Sequence, residues 1–119
     1  CFLVSRKFFQ DVGLFDEKYY LYLEDADLSR RAIRAGYQLK VIPKSIIWHV
    51  NSGSSGAGSN LHDYFLTRNR LLFTYRYACL RTKFAVFRES LNQLITGRPW
   101  QKRGVIDFYL GRLNKGSWK

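Results

Sequence analysis

The chain has 119 residues, of which 46% are hydrophobic and 17% aromatic, and this is enough apolar material to form the core of one domain. Twenty Lys and Arg against nine Asp and Glu give a formal net charge of +11, which favours anionic partners such as nucleotides, phosphorylated lipids, a membrane surface or nucleic acid. The apolar content excludes a wholly disordered chain.

The amino-terminal segment predicts a strand followed by a short helix. Residues Phe2–Val4 are apolar and are typical of a strand. Ser5 has the side chain of a helix N-cap, so the sequence SRKFFQDV predicts a brief helix, which Gly13 can close in the left-handed conformation. Residues 14–23 are expected to form a loop or extended segment that is rich in aromatic side chains.

A second helix is predicted from Glu24, where the apolar residues adopt the spacing of one helical face. This face extends to Ala35, and Gly36 supplies the stop signal. The carboxylates of the sequence EDAD are therefore expected in the first turn of an amphipathic helix: Glu24, Asp25 and Asp27.

Two short strands, or one bent strand, are predicted before the middle of the chain. Gln38–Ile42 alternates and is rich in β-branched residues, Pro43 interrupts the pattern, and Ser45–Val50 resumes it. The sequence NSGSSGAGSN, residues 51–60, has low complexity and predicts a mobile loop.

Beyond the Ser/Gly loop the chain is basic, aromatic-rich and predicted to be helical. Helical spacing is found over 61–81, 84–95 and 105–113. The composition therefore predicts three parts, which are an α/β part over 1–50, a flexible loop over 51–60, and a helical region over 61–119.

The acidic cluster at the start of the second helix has two interpretations. Carboxylates in a first turn are stabilised by the helix dipole by roughly 0.3 to 1 kcal/mol each, so capping alone can explain them. Alternatively, Asp25 is a general base and Glu24 its supporting neighbour, because a helix terminus beside an aromatic loop keeps a carboxylate both fixed and accessible. Asp27 is expected to contribute to the electrostatics of the helix through Arg30 or Arg31.

His49 is a candidate metal ligand, because it ends an apolar strand directly before the Ser/Gly loop. An imidazole at such a position can bind a divalent metal together with a carboxylate. A lone histidine is more often a hydrogen-bonded structural residue, and the neighbouring sequence supplies no second convincing ligand. Both interpretations stay open at this point.

The segment 62–77, HDYFLTRNRLLFTYRY, interleaves arginines with aromatic residues. Its arginines, Arg68, Arg70 and Arg76, could grip a diphosphate through bidentate hydrogen bonds, stack on nucleobases, or lie on anionic lipid. A solvated basic face over an aromatic core is the alternative without a ligand.

Several absent signatures narrow the choice of function and compartment. No Walker-type glycine loop, GxSxG, HExxH or paired CxxC is present, which excludes the commonest NTPases, hydrolases and zinc proteins. Cys1 and Cys79 form neither a zinc pattern nor a disulfide framework, so a reducing, cytoplasmic compartment is predicted.

No window reaches the roughly 18 uninterrupted apolar residues of a spanning helix, so we expect any contact with the inner face of the cell membrane to be peripheral. Because the chain begins with Cys1 and contains no methionine, we expect a piece of a longer protein.

Five sequence blocks occur in an order that is found in a known enzyme family. They are CFLVSRKFFQDVGLFDEKYY, YLEDADLSRRAIRAGY, the predicted strand ending in IIWHV, the Ser/Gly loop, and YFLTRNRLLF. In this order they resemble the C-terminal part of family 2 glycosyltransferases, especially the rhamnosyltransferase-like branch. The resemblance covers roughly residues 1–80, and the remaining residues match only loosely, as the helical tail of such enzymes.

The resemblance implies the C-terminal portion of a GT-A fold, which is an α/β, Rossmann-like nucleotide-sugar-binding fold, followed by a helical tail. It also implies inverting transfer of a sugar from a nucleotide-sugar donor to a glycan or lipid-linked acceptor, with Mg²⁺ or Mn²⁺ as cofactor, in the synthesis of a surface polysaccharide.

The resemblance also implies roles for single residues. Asp25 matches the base that deprotonates the acceptor hydroxyl, and Glu24 is its neighbour. His49 falls on the family's late histidine, which can complete the metal site. Arg68 and Asn69 match a recurrent pair that contacts the donor diphosphate or scaffolds the site.

The chain departs from the family pattern in one respect. The family's Asp-x-Asp metal motif and its nucleotide-binding units are absent from it, and Asp25-Ala26-Asp27 matches the base motif by position instead. We therefore expect the segment to be inactive alone, and an exposed sheet edge would allow a second copy to associate with it. The rival hypothesis is a non-catalytic basic module that binds nucleic acid or an anionic membrane through the Tyr/Arg helix, whereas a glycosyltransferase is expected to bind no nucleic acid.

Overall fold

Five α-helices make up the regular structure of the chain in a computed structural model that describes residues 2–48 and 58–118. In chain order they are α1 (Arg6–Val12), α2 (Glu24–Arg34), α3 (Asn60–Tyr77), α4 (Leu80–Thr96) and α5 (Pro99–Tyr109). Each predicted helix is present, and the last begins earlier than its apolar spacing indicated because Pro99 is compatible with the first helical position.

Side-chain caps begin two of the helices. The Ser5 hydroxyl accepts a hydrogen bond from Phe8 N at 3.2 Å at the start of α1, and the Ser59 hydroxyl accepts one from His62 N at 3.2 Å at the start of α3. Gly13 follows α1 with a φ of 84° and a ψ of 176°, so it adopts a positive φ that favours glycine but not the left-handed helical conformation that its position in the sequence predicted. The local signals therefore determine these helix ends.

Two separate apolar clusters form the interior of the described structure. The first joins α1 to α2 through buried Phe8, Leu28 and Ala32. The second joins α3, α4 and α5, and its buried members are Leu71, Val86 and Val105.

Gly104 allows α5 to pack closely against α3. A Cβ atom at this position would lie 2.7 Å from the carbonyl oxygen of Tyr64 and 3.3 Å from Arg68 N. Alanine is favoured over glycine by about 1 kcal/mol inside a helix, but here the overlap with backbone atoms is the larger effect. We expect Gly104→Ala to lower the free energy of unfolding by about 1 to 3 kcal/mol, measured by denaturant titration, and a stabilised variant would contradict the observed approach of the two helices.

The predicted α/β fold class is wrong for the part of the chain that the structure describes, which is helical and contains no strand or sheet. The predicted strands at 2–4 and 38–42 are irregular, and so is the described part, 45–48, of the strand predicted at 45–50; Leu3 is 96%, Val41 91% and Trp48 96% exposed. Apolar alternation favours an extended backbone, but a strand also needs a neighbour for its main-chain hydrogen bonds. The main-chain hydrogen bond within 38–48, from Ser45 N to Ile42 O, closes a turn, and no ladder joins this segment to another described one.

Candidate active site

The loop before α2 has a backbone that side chains rarely tolerate. Tyr20, Tyr22 and Leu23 have φ values of 62°, 68° and 68°, in the left-handed region. Leu23 is also the N-cap residue of α2 and makes no side-chain hydrogen bond to the helix. Each such conformation costs of order 1 to 3 kcal/mol and persists only where its surroundings hold it. The loop that leads into the acidic cluster therefore needs support from elsewhere in the chain.

Asn69, on α3, supplies much of this support. Its side-chain nitrogen Nδ2 donates to the carbonyl oxygens of Tyr19, Leu21 and Tyr22 at 2.8, 2.6 and 2.9 Å, and the residue is fully buried. Its Oδ1 accepts from Nε and Nη2 of Arg68 at 3.0 and 2.9 Å. Because the amide oxygen faces a guanidinium, the amide nitrogen must face the loop carbonyls.

Arg68 ties the same loop to the carboxyl-terminal segment. Its Nη2 donates to the carbonyl oxygens of Tyr19 at 2.9 Å and Lys18 at 3.3 Å, and its Nη1 donates to the carbonyl oxygen of Asn114 at 2.5 Å. Asn114 N in turn donates to Lys18 O at 2.9 Å. Burial lowers the pKa of Arg68, but a guanidinium stays charged in a folded protein. These contacts fit the predicted scaffolding role, and contact with a donor diphosphate stays a prediction.

Asp27 is the buried carboxylate to which α2 and α3 both contribute donors. It accepts hydrogen bonds from the hydroxyls of Tyr19 at 3.2 Å and Tyr77 at 2.6 Å, from Arg31 Nε at 2.8 Å and from Arg76 Nη1 at 2.7 Å. Burial alone would raise its pKa, but the hydrogen bonds from Tyr77 and the two guanidinium groups outweigh burial and hold the pKa below its ordinary value. Asp27 was predicted to interact with Arg30 or Arg31, and the structure pairs it with Arg31.

Asp25 and Glu24 have different surroundings from Asp27. Asp25 is exposed, its Oδ1 accepts from the adjacent Ala26 N at 2.7 Å, and no ion-pair partner for it is found in the part of the chain that the structure describes. Glu24 Oε2 is buried and has no hydrogen-bond partner within residues 2–48 and 58–118. The start of α2 therefore presents one accessible carboxylate and one oxygen that can still accept a hydrogen bond.

The arginines of α3 are engaged by protein groups. Arg70 forms a two-point contact with Glu89 of α4 at 2.7 and 2.5 Å, and Arg76 pairs with Asp16 at 2.8 Å as well as with the buried aspartate of α2. Arg68 is fully buried. The rival hypothesis of a nucleic-acid or lipid-binding helix requires all three side chains on a free surface, but only Arg70 is exposed there, and it is paired with Glu89.

The predicted metal site has no ligand set in the described structure. His49 lies outside the described residues. Within 2–48 and 58–118, no group of three or more His, Cys, Asp or Glu side chains is arranged to hold a metal ion. The described residues therefore do not form a site for Mg²⁺ or Mn²⁺ by themselves. The same ranges contain no helix with the length and apolarity needed to cross a bilayer.

Sequence reasoning did not identify Tyr19 and Tyr77 as partners of Asp27. They are 8 and 50 residues away from it in the chain, and no local spacing relates the more distant one to α2. The sequence of α3 did contain one indication that this helix makes a buried polar contact. Asn69 and Arg76 are seven residues apart and so share a helical face. An asparagine inside a helix is unfavourable without a partner, which indicates a buried contact there.

Comparison with known proteins gives one group of relatives. The chain is 39% identical over 62 residues to N-acetylglucosaminyl-diphospho-decaprenol L-rhamnosyltransferase from two strains of Mycobacterium tuberculosis. The matched region is 52% of this chain but only 20% of each relative. No protein-family model matches the chain, and no solved structure matches it at a significant level. The similarity to these relatives confirms the resemblance of the chain to rhamnosyltransferase-like glycosyltransferases that its motifs indicated.

Proposed function

We propose that this chain is part of a glycosyltransferase that moves a sugar from a nucleotide-sugar donor to a hydroxyl group of a lipid-linked acceptor. The similarity to the mycobacterial enzymes supports this proposal, and their name describes an L-rhamnosyltransferase and a decaprenol diphosphate that bears N-acetylglucosamine. By analogy, the donor would be an activated rhamnose and the acceptor a polyprenol-diphosphate-linked sugar in surface-polysaccharide synthesis.

Asp25 is the proposed general base, and the observation that supports it is the contrast among the three acids. Asp27 is closed off by four donors, whereas Asp25 is exposed at the end of a helix whose entry loop is held by buried hydrogen bonds. Such a carboxylate is fixed and can reach an incoming hydroxyl.

The proposed reaction is a single displacement. The Asp25 carboxylate takes the proton of the acceptor hydroxyl while that oxygen bonds to the anomeric carbon. The bond from this carbon to the donor phosphate oxygen breaks, and its electron pair leaves with the nucleoside diphosphate. Attack from the side opposite the leaving group inverts the anomeric carbon. Glu24, the neighbour of the base, would contact the acceptor and orient it.

A divalent metal cofactor and one of its ligands are also part of the proposed function. Mg²⁺ or Mn²⁺ would be a cofactor of the full-length enzyme, with His49 as one ligand. A bound divalent cation would neutralise negative charge on the leaving diphosphate. Its remaining ligands would have to come from outside the described residues.

Substitution of Asp25 tests the proposed function. In the full-length protein, Asp25→Asn should lower kcat by about 10² to 10⁴-fold, the usual contribution of a general base. The KM for the donor should change little, because the carboxylate acts on the acceptor. The assay measures transfer from a nucleotide-activated rhamnose to polyprenyl-diphosphate-linked N-acetylglucosamine.

Glu17→Gln is the matched control, because Glu17 is an exposed acid in the loop that precedes the same helix. It removes one negative charge near the site and should leave kcat within about twofold of wild type, as expected for a surface change away from the chemistry. Near wild-type transfer by Asp25→Asn would refute the assignment of the base.

A further inference from the structure

One face of α4 is apolar and exposed along the whole helix. Its members are spaced four, three, four and four residues apart, so they form one continuous stripe. Between 37% and 82% of each side chain is exposed. The residues of this stripe are Leu80, Phe84, Phe87, Leu91 and Ile95.

The stripe is not the face by which α4 packs against the other helices. Val86 and Ser90, on a different side of α4, are buried against α3 and α5. The ring of Phe87 contacts Tyr109 of α5 with centroids 6.3 Å apart, and Tyr109 is itself 44% exposed. The apolar surface therefore continues from α4 onto the end of α5.

Positive charge borders this apolar surface. Arg81 and Arg88 are exposed and seven residues apart, so they lie on one side of the stripe, and Lys83 lies on the other. None of the three has an ion-pair partner within the described residues. Glu89, the acidic residue of α4, is engaged by Arg70. The three basic side chains that border the stripe therefore have no acidic partner among the described residues.

We propose that α4 lies in the interface of an anionic lipid membrane, with its apolar stripe among the acyl chains and its arginines at the phosphate groups. A helix with an apolar face and a basic border is the usual form of an interfacial helix. Basic side chains next to an anionic surface add favourable energy, and their long apolar stems can reach from the stripe to the phosphates.

Charge complementarity favours lipid over a second copy of this chain as the occupant. Two stripes packed face to face would bring two sets of Arg81 and Arg88 together, with no free carboxylate on α4 to pair with them. An anionic bilayer supplies both an apolar layer and a dense negative surface. The proposal does not depend on the transferase chemistry, although a membrane-bound α4 would hold the protein beside a lipid-linked acceptor.

Vesicle binding by the full-length protein tests the proposal. The protein should bind vesicles of phosphatidylglycerol and phosphatidylcholine, and bind phosphatidylcholine alone much more weakly, in a flotation assay. Phe84→Gln with Leu91→Gln should lower the partition coefficient by about tenfold or more, because two inserted side chains are lost. Arg81→Gln with Arg88→Gln should lower it by about fivefold per arginine and reduce its salt dependence.

Ala85→Gln with Asn92→Gln is the matched control, because both residues are exposed on α4 away from the stripe and the charge is unchanged. This variant should bind vesicles like wild type. Leu80→Gln with Ile95→Gln provides a second stripe variant at its two most exposed positions, 82% and 77%, where folding should not depend on the side chain. Both stripe variants should keep the wild-type Tm.

Three results would overturn the proposal. The first is wild-type vesicle binding by both stripe variants, and the second is equal binding to anionic and neutral vesicles. The third is a dimer of the wild-type protein, in sedimentation without lipid, that the stripe substitutions convert to a monomer. That last result would assign the stripe to a second copy of the chain.

Discussion

Asp27→Asn is expected to lower the free energy of unfolding by about 3 kcal/mol, the cost of removing one partner from a buried ion pair. The carboxylate is fully buried, and Arg31 and Arg76 approach it at 2.8 and 2.7 Å. An asparagine of the same shape would leave Arg31 without a counter-charge and Arg76 with Asp16 as its remaining one. It would also turn an amide nitrogen towards at least one guanidinium group, which can only donate. The measurement is the denaturant midpoint of the full-length protein.

Asp25→Asn is the control for this stability prediction, since Asp25 lies two residues earlier in the same helical turn and is exposed. Its effect on the free energy of unfolding should stay within about 1 kcal/mol, the contribution of a first-turn carboxylate to the helix dipole. Equal stability of Asp27→Asn and wild type would mean that the four hydrogen bonds to Asp27 contribute no net stability.

Acid unfolding gives a second measure of the same interaction. The pKa of Asp27 is held below its ordinary value in the folded chain, so the folded state binds protons less readily than the unfolded state. The resulting stability is present above the unfolded pKa of about 3.9 and is lost as the pH falls through the lower, folded pKa. The Asp27→Asn chain should lack this part of the pH dependence, whereas Asp25→Asn should retain it.

The helices could be predicted from the sequence because their signals are local. Ser5 and Gly13 determine the ends of α1, and the apolar spacing after Glu24 determines α2. The strands could not be predicted in the same way. Residues 38–48 have the composition of strands, but strand formation depends on a partner that lies elsewhere, and none of the described segments pairs with them.

The position of the candidate site could be predicted from the sequence, but the hydrogen bonds that support it could not. The motif indicated that Asp25 lies in the first turn of a helix, and α2 begins at Glu24. Its supports are hydrogen bonds from Asn69 to carbonyls 47 to 50 residues earlier, and from Arg76 to an aspartate 49 residues earlier. One face of α3 contacts both the strained loop and α2. Asn69 fixes the loop, and Arg76 fixes the start of α2 through Asp27.

Arg68→Lys is expected to lower the free energy of unfolding by about 3 kcal/mol, because at least two buried acceptors lose their donor. The guanidinium reaches the carbonyl oxygens of Lys18, Tyr19 and Asn114 and the side chain of Asn69 from one planar fork. A lysine ammonium keeps the positive charge but cannot reproduce these directions. Denaturant titration of the full-length protein measures the change.

Arg70→Lys is the matched control for this substitution. Arg70 is two residues further along the same helix, and its pair with Glu89 is exposed, so the change should cost less than about 1 kcal/mol. A similar loss of stability in both variants would mean that replacing any arginine of α3 by lysine is destabilising, and that the buried guanidinium of Arg68 has no special role.

Kinetics of Arg68→Lys then separate its two predicted roles. If Arg68 positions the loop before Asp25, the folded variant should show a lower kcat with little change in the KM for the donor, because a displaced base slows chemistry. If it bound the donor diphosphate, the retained charge would preserve kcat, the KM for the donor would rise, and stability would be unchanged. The full burial of Arg68 and its bonds to the loop carbonyls favour the first outcome, since a fully buried side chain that spends most of its donors on protein acceptors is closed to a phosphate.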